Sequence, residues 1–326
     1  LQYYISQSRM QQFVPLSIRK EYIEFEKIYQ GALKNRQRYL HDLLSHLNKG
    51  KGKQIRPILT LLAAGMHGII GHKTYLIASL VELLHVSSLI HDDVVDNAAL
   101  RRNNRTINAV WNNKTAVLLG DYLLAKCMKI IQQTEDSTLS NHISDLVQTM
   151  TEGEIIQLSK INCYDMNEKE YYDIIEAKTA LLFGFSLYLG AYSVGADETQ
   201  SLQLKEAGIA IGMAFQIKDD LKDYSLQLKD KDFAKDIKEH IVTLPMIHVL
   251  EKMKVEDRNA LIHLYKNHNN NKQTIIDIIK IVEKEGGIAY SHTVIQSKIE
   301  KAKQLINQQA PSIYTDNLLE LLQEII

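Results

Sequence analysis

The chain has 326 residues, 45% of them hydrophobic and 24% charged, enough apolar content to bury a large core and to exclude intrinsic disorder. Its formal charge of −1, with basic and acidic residues interspersed, excludes the electrostatic footprint of a nucleic-acid binder. No run of about 18 apolar residues marks a membrane span, LQYYISQSRMQQF lacks the basic-then-apolar layout of a signal peptide, and Cys127 and Cys163 sit within helical patterns at no metal-like spacing, so the expectation is a cytoplasmic protein without disulfides.

Only four prolines occur, and Leu, Ile, Lys, Gln and Glu are abundant, which favours helix. Apolar residues recur at i, i+3 and i+4 over long windows, while period-two alternation is scarce. No Pro/Gly/Ser-rich linker divides the chain. The expectation is an all-α protein, a single domain over residues 1–326 with about a dozen helices and almost no sheet.

In chain order, the first informative stretch is GKGKQIRP, where Gly52, Lys53 and Arg56 precede Pro57 at what reads as the opening turn of a helix. Backbone N–H groups and the positive helix end there favour a phosphate, although a solvated basic loop would look the same. VELLHVSSLIHDDVVD follows, an apolar and buried-looking helix that ends in three carboxylates. On a helix Asp92 and Asp96 share a face with Asp93 beside them, a concentration of negative charge that asks for cations. Within the same stretch Glu82 and His85 make a Glu-x-x-His spacing, but no second helix repeats it, which disfavours a di-iron bundle. NAALRRNNRT then supplies adjacent Arg101 and Arg102, guanidinium forks suited to phosphate oxygens.

LSNHISDLVQTMTEGEIIQLSKI reads as a further helix. YYDIIEAKTALLFGFSLYLG reads as another, with Lys178 and Thr179 entering a strongly apolar segment where a lysine without an anion would be costly. GMAFQIKDDLKDY repeats the acidic pattern with Asp219, Asp220 and Asp223, again at the end of an apolar helix. One such triplet is commonly a solvated helix end, whereas two on buried-looking helices point to metal. Carboxylates without His or Cys partners are hard oxygen ligands and suit Mg²⁺, with substrate phosphates completing its shell.

LIHDDVVDNAALRRNNRTIN and FQIKDDLKDY, with GKQIRP, the GE at 153–154, the KTA at 178–180 and the TLP at 243–245, resemble the trans-isoprenyl diphosphate synthases in order and spacing. The resemblance implies helices around a deep central cavity with the two acid clusters facing each other across its mouth. It implies that an allylic diphosphate ionises and that isopentenyl diphosphate attacks the cation head-to-tail, with Mg²⁺, about three ions per site, as the metal. Asp92, Asp96 and Asp219 match positions that hold the metal, with Asp93, Asp220 and Asp223 in support. Lys53, Arg56, His85 and Arg102 match positions for isopentenyl diphosphate, and Arg101 and Lys178 positions for the allylic diphosphate. Thr179 and Gln216 match positions that steady and orient the developing cation.

Ser87 and Ser88, just before the first cluster, are small where short-chain members place aromatics, which implies a tunnel open past the farnesyl length; close helix packing would also explain them. Leu84, Val81 and Leu80, or Phe183 and Phe185, are candidate floors. RRNNRT departs from the usual RRGxPT at Asn103 and Arg105. DKDFAKDIKEHIVTLP keeps Lys231 and Asp236 but places Ile241 at a lysine position, and LLQEII lacks a basic tail. These departures, with AVWNNKTAVLLGDYLLAK, are most similar to the large catalytic subunit of bacterial two-component hexaprenyl or heptaprenyl diphosphate synthases. That implies a small partner subunit, a product of roughly C30–C35 and a role in menaquinone side-chain synthesis. The alternatives are a homodimeric geranylgeranyl-type synthase acting alone, a terpene cyclase, and a noncatalytic helical subunit of the same fold.

Overall fold

The computed structural model describes residues 13–50, 52–226 and 233–326, so Lys231 lies outside the described residues. Among those described are sixteen α-helices and one short hairpin, close to the all-α expectation. The helices are α1 (Arg19–Ala32), α2 (Arg38–Lys49), α3 (Ile55–His67), α4 (His72–Val95), α5 (Ile107–Val110), α6 (Asn113–Gln133), α7 (Ser137–Ser159) and α8 (Glu168–Ile175). After a π-helical turn at Glu176–Ala180 come α9 (Leu181–Ser193), α10 (Glu198–Asp220), a 3₁₀ turn at Leu221–Tyr224, α11 (Lys235–Lys238), α12 (Leu244–Lys252), α13 (Val255–Lys266), α14 (Lys272–Lys284), α15 (Gly287–Asn307) and α16 (Ile313–Ile325). Cys127 is buried in α6, and Cys163 falls in the irregular segment between α7 and α8 instead of within a helix; both are free.

The described chain clusters into two compact units. The first draws on residues up to Ile143 with Phe185–Lys205 and Asn307–Leu319, and the second on Ser144–Gly184, Glu206–Ile306 and Glu320–Ile326. In the first unit the core is built on α4. From Leu76 to Leu84 every side chain of α4 is buried, polar ones included, as expected of a helix that is apolar all round. α3 packs beside it with Ile58, Leu59, Leu61 and Leu62 fully buried. α3 also passes so close to α9 that a Cβ on Gly190 would lie 2.2 Å from the Thr60 carbonyl oxygen.

α4 and the run Glu168–Ser193 are long and apolar enough to cross a membrane, which the sequence alone did not lead us to expect. Their most apolar windows are 67% and 72% buried within the protein, so core packing accounts for that apolarity.

In the second unit, the Asn167 side chain and Glu170 form a reciprocal cap at the start of α8. Gly208 and Gly212, one turn apart on α10, lie against Phe183 and Ala180. A Cβ on Gly212 would sit 2.4 Å from the Ala180 Cα.

The hairpin pairs β1 (Leu100–Arg101) with β2 (Asn104–Arg105), Leu100 opposite Arg105 and Arg101 opposite Asn104. Its two-residue turn puts Arg102 at φ 50° and Asn103 at φ 63°, the positive φ values a tight antiparallel hairpin favours. Asparagine tolerates that region, which explains how Asn103 serves where a glycine is usual. Arg102 is a less comfortable occupant, at a cost of about 1–2 kcal/mol.

Candidate active site

In the first unit α4 ends on its acid cluster. Carboxylates there face the negative end of the helix dipole as well as one another, so cations are required to hold them. Arg101 provides one, its Nε donating to Asp93 Oδ1 at 2.8 Å; Asp93 is buried, and Asp92 and Asp96 are half-buried. Asn97 ends the helix at φ 50°, and the Ala98 N–H donates back to the Asp93 carbonyl at 2.9 Å. Asn108 Nδ2 donates to the carbonyls of Asp93 and Ala98 at 3.1 and 3.0 Å, and Thr106 Oγ1 to Ala98 at 2.6 Å. The turn bearing the cluster is therefore fixed by side chains of the following segment.

Basic groups gather beside it. Arg56 lies in the first turn of α3, near its positive end. Burial, then the charges of Arg56, Arg102 and Arg101, hold the His85 imidazole well below its usual range, so it is neutral at pH 7. Burial brings Arg56 itself down to about 10, with the Glu82 carboxylate opposing that shift and Arg102 adding to it. Lys53 is exposed, its Nζ 4.7 Å from the centre of the Phe13 ring. The charges of Arg56, Arg101 and Arg102 all act on this imidazole and Arg102 also acts on Arg56, a positive field that a polyanion would relieve.

The Arg102 guanidinium lies on the bare backbone of Gly52, where a Cβ would be 1.8 Å from Nη1. Gly52→Ala therefore displaces the flexible end of a side chain and leaves backbone in place. We expect a melting temperature within a few degrees of wild type but a KM for the anionic substrate raised about tenfold, read by steady-state kinetics. Unchanged KM would remove Arg102 from the site.

His91 and Ser87 do other work. His91 Nε2 lies 3.3 Å from the Val117 carbonyl and 3.5 Å from Asp121 Oδ1, and buried Ser87 donates to the Gly120 carbonyl at 2.9 Å. A Cβ on Gly120 would lie 2.1 Å from His91 Nε2, so these side chains seat α4 on α6. Ser88 donates to the His85 carbonyl at 2.9 Å and is half-buried, one turn along from Leu84 at 4% exposure.

In the second unit the acid cluster straddles a change of helix type. Asp219 and Asp220 end α10, whereas Asp223 falls in the 3₁₀ turn, not on the continuous helix its spacing suggested. Helix ends commonly tighten in this way. Asp219 is exposed beside Lys222, while Asp220 and Asp223 are buried. Tyr171 Oη donates to Asp220 Oδ2 at 2.6 Å and Gln216 Nε2 to Asp220 Oδ1 at 2.7 Å; Thr179 Oγ1 donates to Gln216 Oε1 at 2.8 Å. Lys178 Nζ pairs with Glu154 Oε2 at 2.8 Å. The π-helical turn contains both Lys178 and Thr179, and the inserted residue explains their departure from ordinary helical phase.

Burial pushes the Asp220 carboxyl up to about 6 despite the bonds from Tyr171 and Gln216, and the charges of Asp219 and Asp223 add to the rise. Asp236, whose N–H donates to Asp223 Oδ2 at 2.5 Å, is raised well above its usual value by burial and then by Asp220 and Asp223. Among the described residues no three His, Cys, Asp or Glu groups form a ready-made metal cage. Clustered carboxylates that repel one another fit a hard divalent cation whose remaining oxygens come from a ligand.

Sequence reasoning had pointed to Asp220, Gln216, Thr179 and Lys178 but missed Tyr171 and Glu154 as their partners. The glycine and polar residues of α10 at 208, 212, 216 and 220 keep helical i+4 spacing, a legible sign that one face approaches another backbone and then turns polar. Tyr171 lies 49 positions from Asp220 and carries no such sign.

The Polyprenyl synthetase family model matches residues 37–282. The chain belongs to that family. It is 33% identical to the heptaprenyl diphosphate synthase component 2 of Bacillus subtilis over 265 residues, 80% of this chain and 75% of that one. The crystal structure of a decaprenyl diphosphate synthase from Rhodobacter capsulatus superimposes with a TM-score of 0.89 at 27% identity, covering 98% of each chain. That of a geranylgeranyl pyrophosphate synthase from Corynebacterium glutamicum, complexed with calcium and isoprenyl diphosphate, gives a TM-score of 0.81 at 25% identity over 95% of each. This polyprenyl synthetase is thus a trans-prenyl diphosphate synthase, a prenyltransferase with the all-α isoprenoid synthase fold. Its relatives are named for products of several lengths.

Proposed function

We propose that this prenyltransferase condenses farnesyl diphosphate with successive isopentenyl diphosphates to a hexaprenyl or heptaprenyl diphosphate, with Mg²⁺ as the metal, in the cytoplasm. The observation that carries the reading is the acid cluster that closes α4, where Arg101 Nε donates to Asp93 Oδ1 at 2.8 Å and Asp92 and Asp96 are half-buried, with Arg56 and Arg102 adding positive charge felt at His85. Lys53, Arg56, His85 and Arg102 bind isopentenyl diphosphate, and the neutral imidazole can donate an N–H without adding charge. Arg101 and Lys178 serve the allylic diphosphate. Asp92, Asp96 and Asp219 would hold Mg²⁺, with Asp93, Asp220 and Asp223 supporting them, as carboxylate donors suit that ion.

Bound Mg²⁺ supplies charge neutralisation for the departing diphosphate. The bond between C1 and the diphosphate oxygen breaks, the double bond of isopentenyl diphosphate attacks C1, and the released diphosphate takes the proton lost in forming the new double bond. No protein nucleophile is used. Thr179 and Gln216 orient the reacting chain, and apolar helix walls exclude water from the cation. Ser88 and Leu84 line the growing tail. Ser88→Phe is expected to shorten the product by one or more isoprene units, while Ser87→Phe should destabilise the protein, because that side chain is buried against Gly120. Radio-thin-layer analysis of products with thermal melts separates the two outcomes.

The relative named component 2 supports a two-subunit reading, with a homodimer as the alternative. The deciding experiment is the product formed from farnesyl diphosphate, isopentenyl diphosphate and Mg²⁺ by the purified chain, alone and with a candidate small subunit. Silence alone and turnover to C30 or C35 with the partner is the expected result. Full activity alone would remove the two-component reading, and a C20 product would favour a geranylgeranyl-type synthase.

A further inference from the structure

Four side chains of the second unit form one hydrogen-bonded chain whose directions are all fixed. Tyr171 Oη donates to Asp220 Oδ2 at 2.6 Å, Gln216 Nε2 to Asp220 Oδ1 at 2.7 Å, and Thr179 Oγ1 to Gln216 Oε1 at 2.8 Å. A carboxylate only accepts, so Gln216 turns its amide nitrogen toward Asp220 and its oxygen toward Thr179, and the single Thr179 proton is committed to Gln216. Thr179 is left to offer its lone pairs. Tyr171 and Asp220 are buried, at 3% and 6% exposure, whereas Thr179 and Gln216 are half-buried. The buried end of the chain therefore anchors it, and the more accessible end presents it.

Helix phase brings the four together. On a regular α-helix Tyr171 and Thr179 would point about 80° apart. The π-helical turn at Glu176–Ala180 takes up an extra residue and rotates Thr179 back toward the face of Tyr171. On α10 Gln216 and Asp220 are one turn apart and share a face. α8 is also held at its first turn, where Tyr172 and Tyr290 both donate to Glu168 Oε1, Tyr290 at 2.6 Å.

We propose that Tyr171 is a positioning residue for the allylic half-site, its hydroxyl holding Asp220 so that Gln216 keeps one amide orientation and Thr179 presents its lone pairs to the developing cation. This rests on the assignment of Thr179 and Gln216 to that cation. Tyr171 acts through Asp220 and Gln216 and touches no substrate atom. The effect expected is on the rate of the chemical step, not on binding of either diphosphate.

The test measures the single-turnover rate of the first condensation, the KM for each diphosphate and the Mg²⁺ concentration giving half-maximal rate. It uses the enzyme, with its partner subunit if one is required, as Tyr171→Phe, Gln216→Ala and the double variant. Tyr171→Phe keeps the ring and removes only the hydroxyl. It should lower the single-turnover rate about tenfold and leave both KM values and the Mg²⁺ requirement within about twofold. The double variant should match Gln216→Ala alone, because a residue acting through Gln216 has nothing left to act on. A raised Mg²⁺ requirement would mean that the bond serves the metal, and additive losses in the double variant would mean that it serves only packing. Either result, a raised KM or an unchanged rate overturns the proposal while the assignment of Gln216 stands. If Gln216→Ala itself leaves the rate unchanged, the assignment falls and the proposal with it. Should Tyr171→Phe fail to fold, Tyr171→His, a polar ring of shorter reach, is put through the same cycle and judged by the same criteria.

Discussion

Asp219→Ala is expected to lower kcat/KM by about a thousandfold while leaving the protein folded. Asp219 is exposed at the end of α10, so its removal opens no cavity. Its buried neighbour Asp220 already accepts hydrogen bonds from Tyr171 and Gln216, which leaves it less able to take over. On the proposed assignment, losing a carboxylate that holds Mg²⁺ weakens the cation that neutralises the departing diphosphate, which costs several kcal/mol of barrier, and each 1.36 kcal/mol is about tenfold in rate. Two readouts should change together: turnover, and the rise in melting temperature expected of the wild type on adding Mg²⁺ with diphosphate. Asp92→Ala should behave alike. Unchanged turnover in both variants would sink the metal assignment.

Gly212→Ala should destabilise the protein by about 1–3 kcal/mol and lower kcat as well. The added methyl would lie 2.4 Å from the Ala180 Cα and 2.9 Å from its Cβ, so the obstruction is largely backbone and cannot swing aside. Separating α10 from the π-helical turn stretches the 2.8 Å bond between Thr179 and Gln216, one turn along from Gly212. Chemical denaturation reads the stability and product formation reads kcat. Gly31→Ala is the control, since nothing lies within 4 Å of its added methyl and alanine is the better helix former. A Gly212→Ala variant as stable and active as that control would show that the close approach is not needed.

Helix content and the two acidic clusters were legible because both depend on local spacing. Hydrophobic recurrence at 3.6 residues fixes which stretches are helical, and Asp92, Asp93 and Asp96 occupy one end of α4 whatever else it packs against. The basic loop at Gly52–Pro57 and the paired arginines could likewise be read as anion ligands from residue type alone.

Three features escaped that reading. Lys178 and Thr179 sit in a π-helical turn, and Asp223 in a 3₁₀ turn, because small differences in backbone hydrogen bonding at a helix junction are settled by packing and not by propensity. Ser87 could have been tunnel wall or helix contact; the bond to Gly120 on α6, 33 positions away, assigns it to packing.

The sequence by itself determined the helical class, the charged groups and the family, since these follow from residue identity at fixed local intervals. Tertiary structure decided which charges meet: Arg102 lies on Gly52, Tyr171 holds Asp220, Arg101 pairs with Asp93, and the charges of three arginines reach a buried His85. Electrostatic energy depends on separation and burial, and neither is encoded at any one position of the chain.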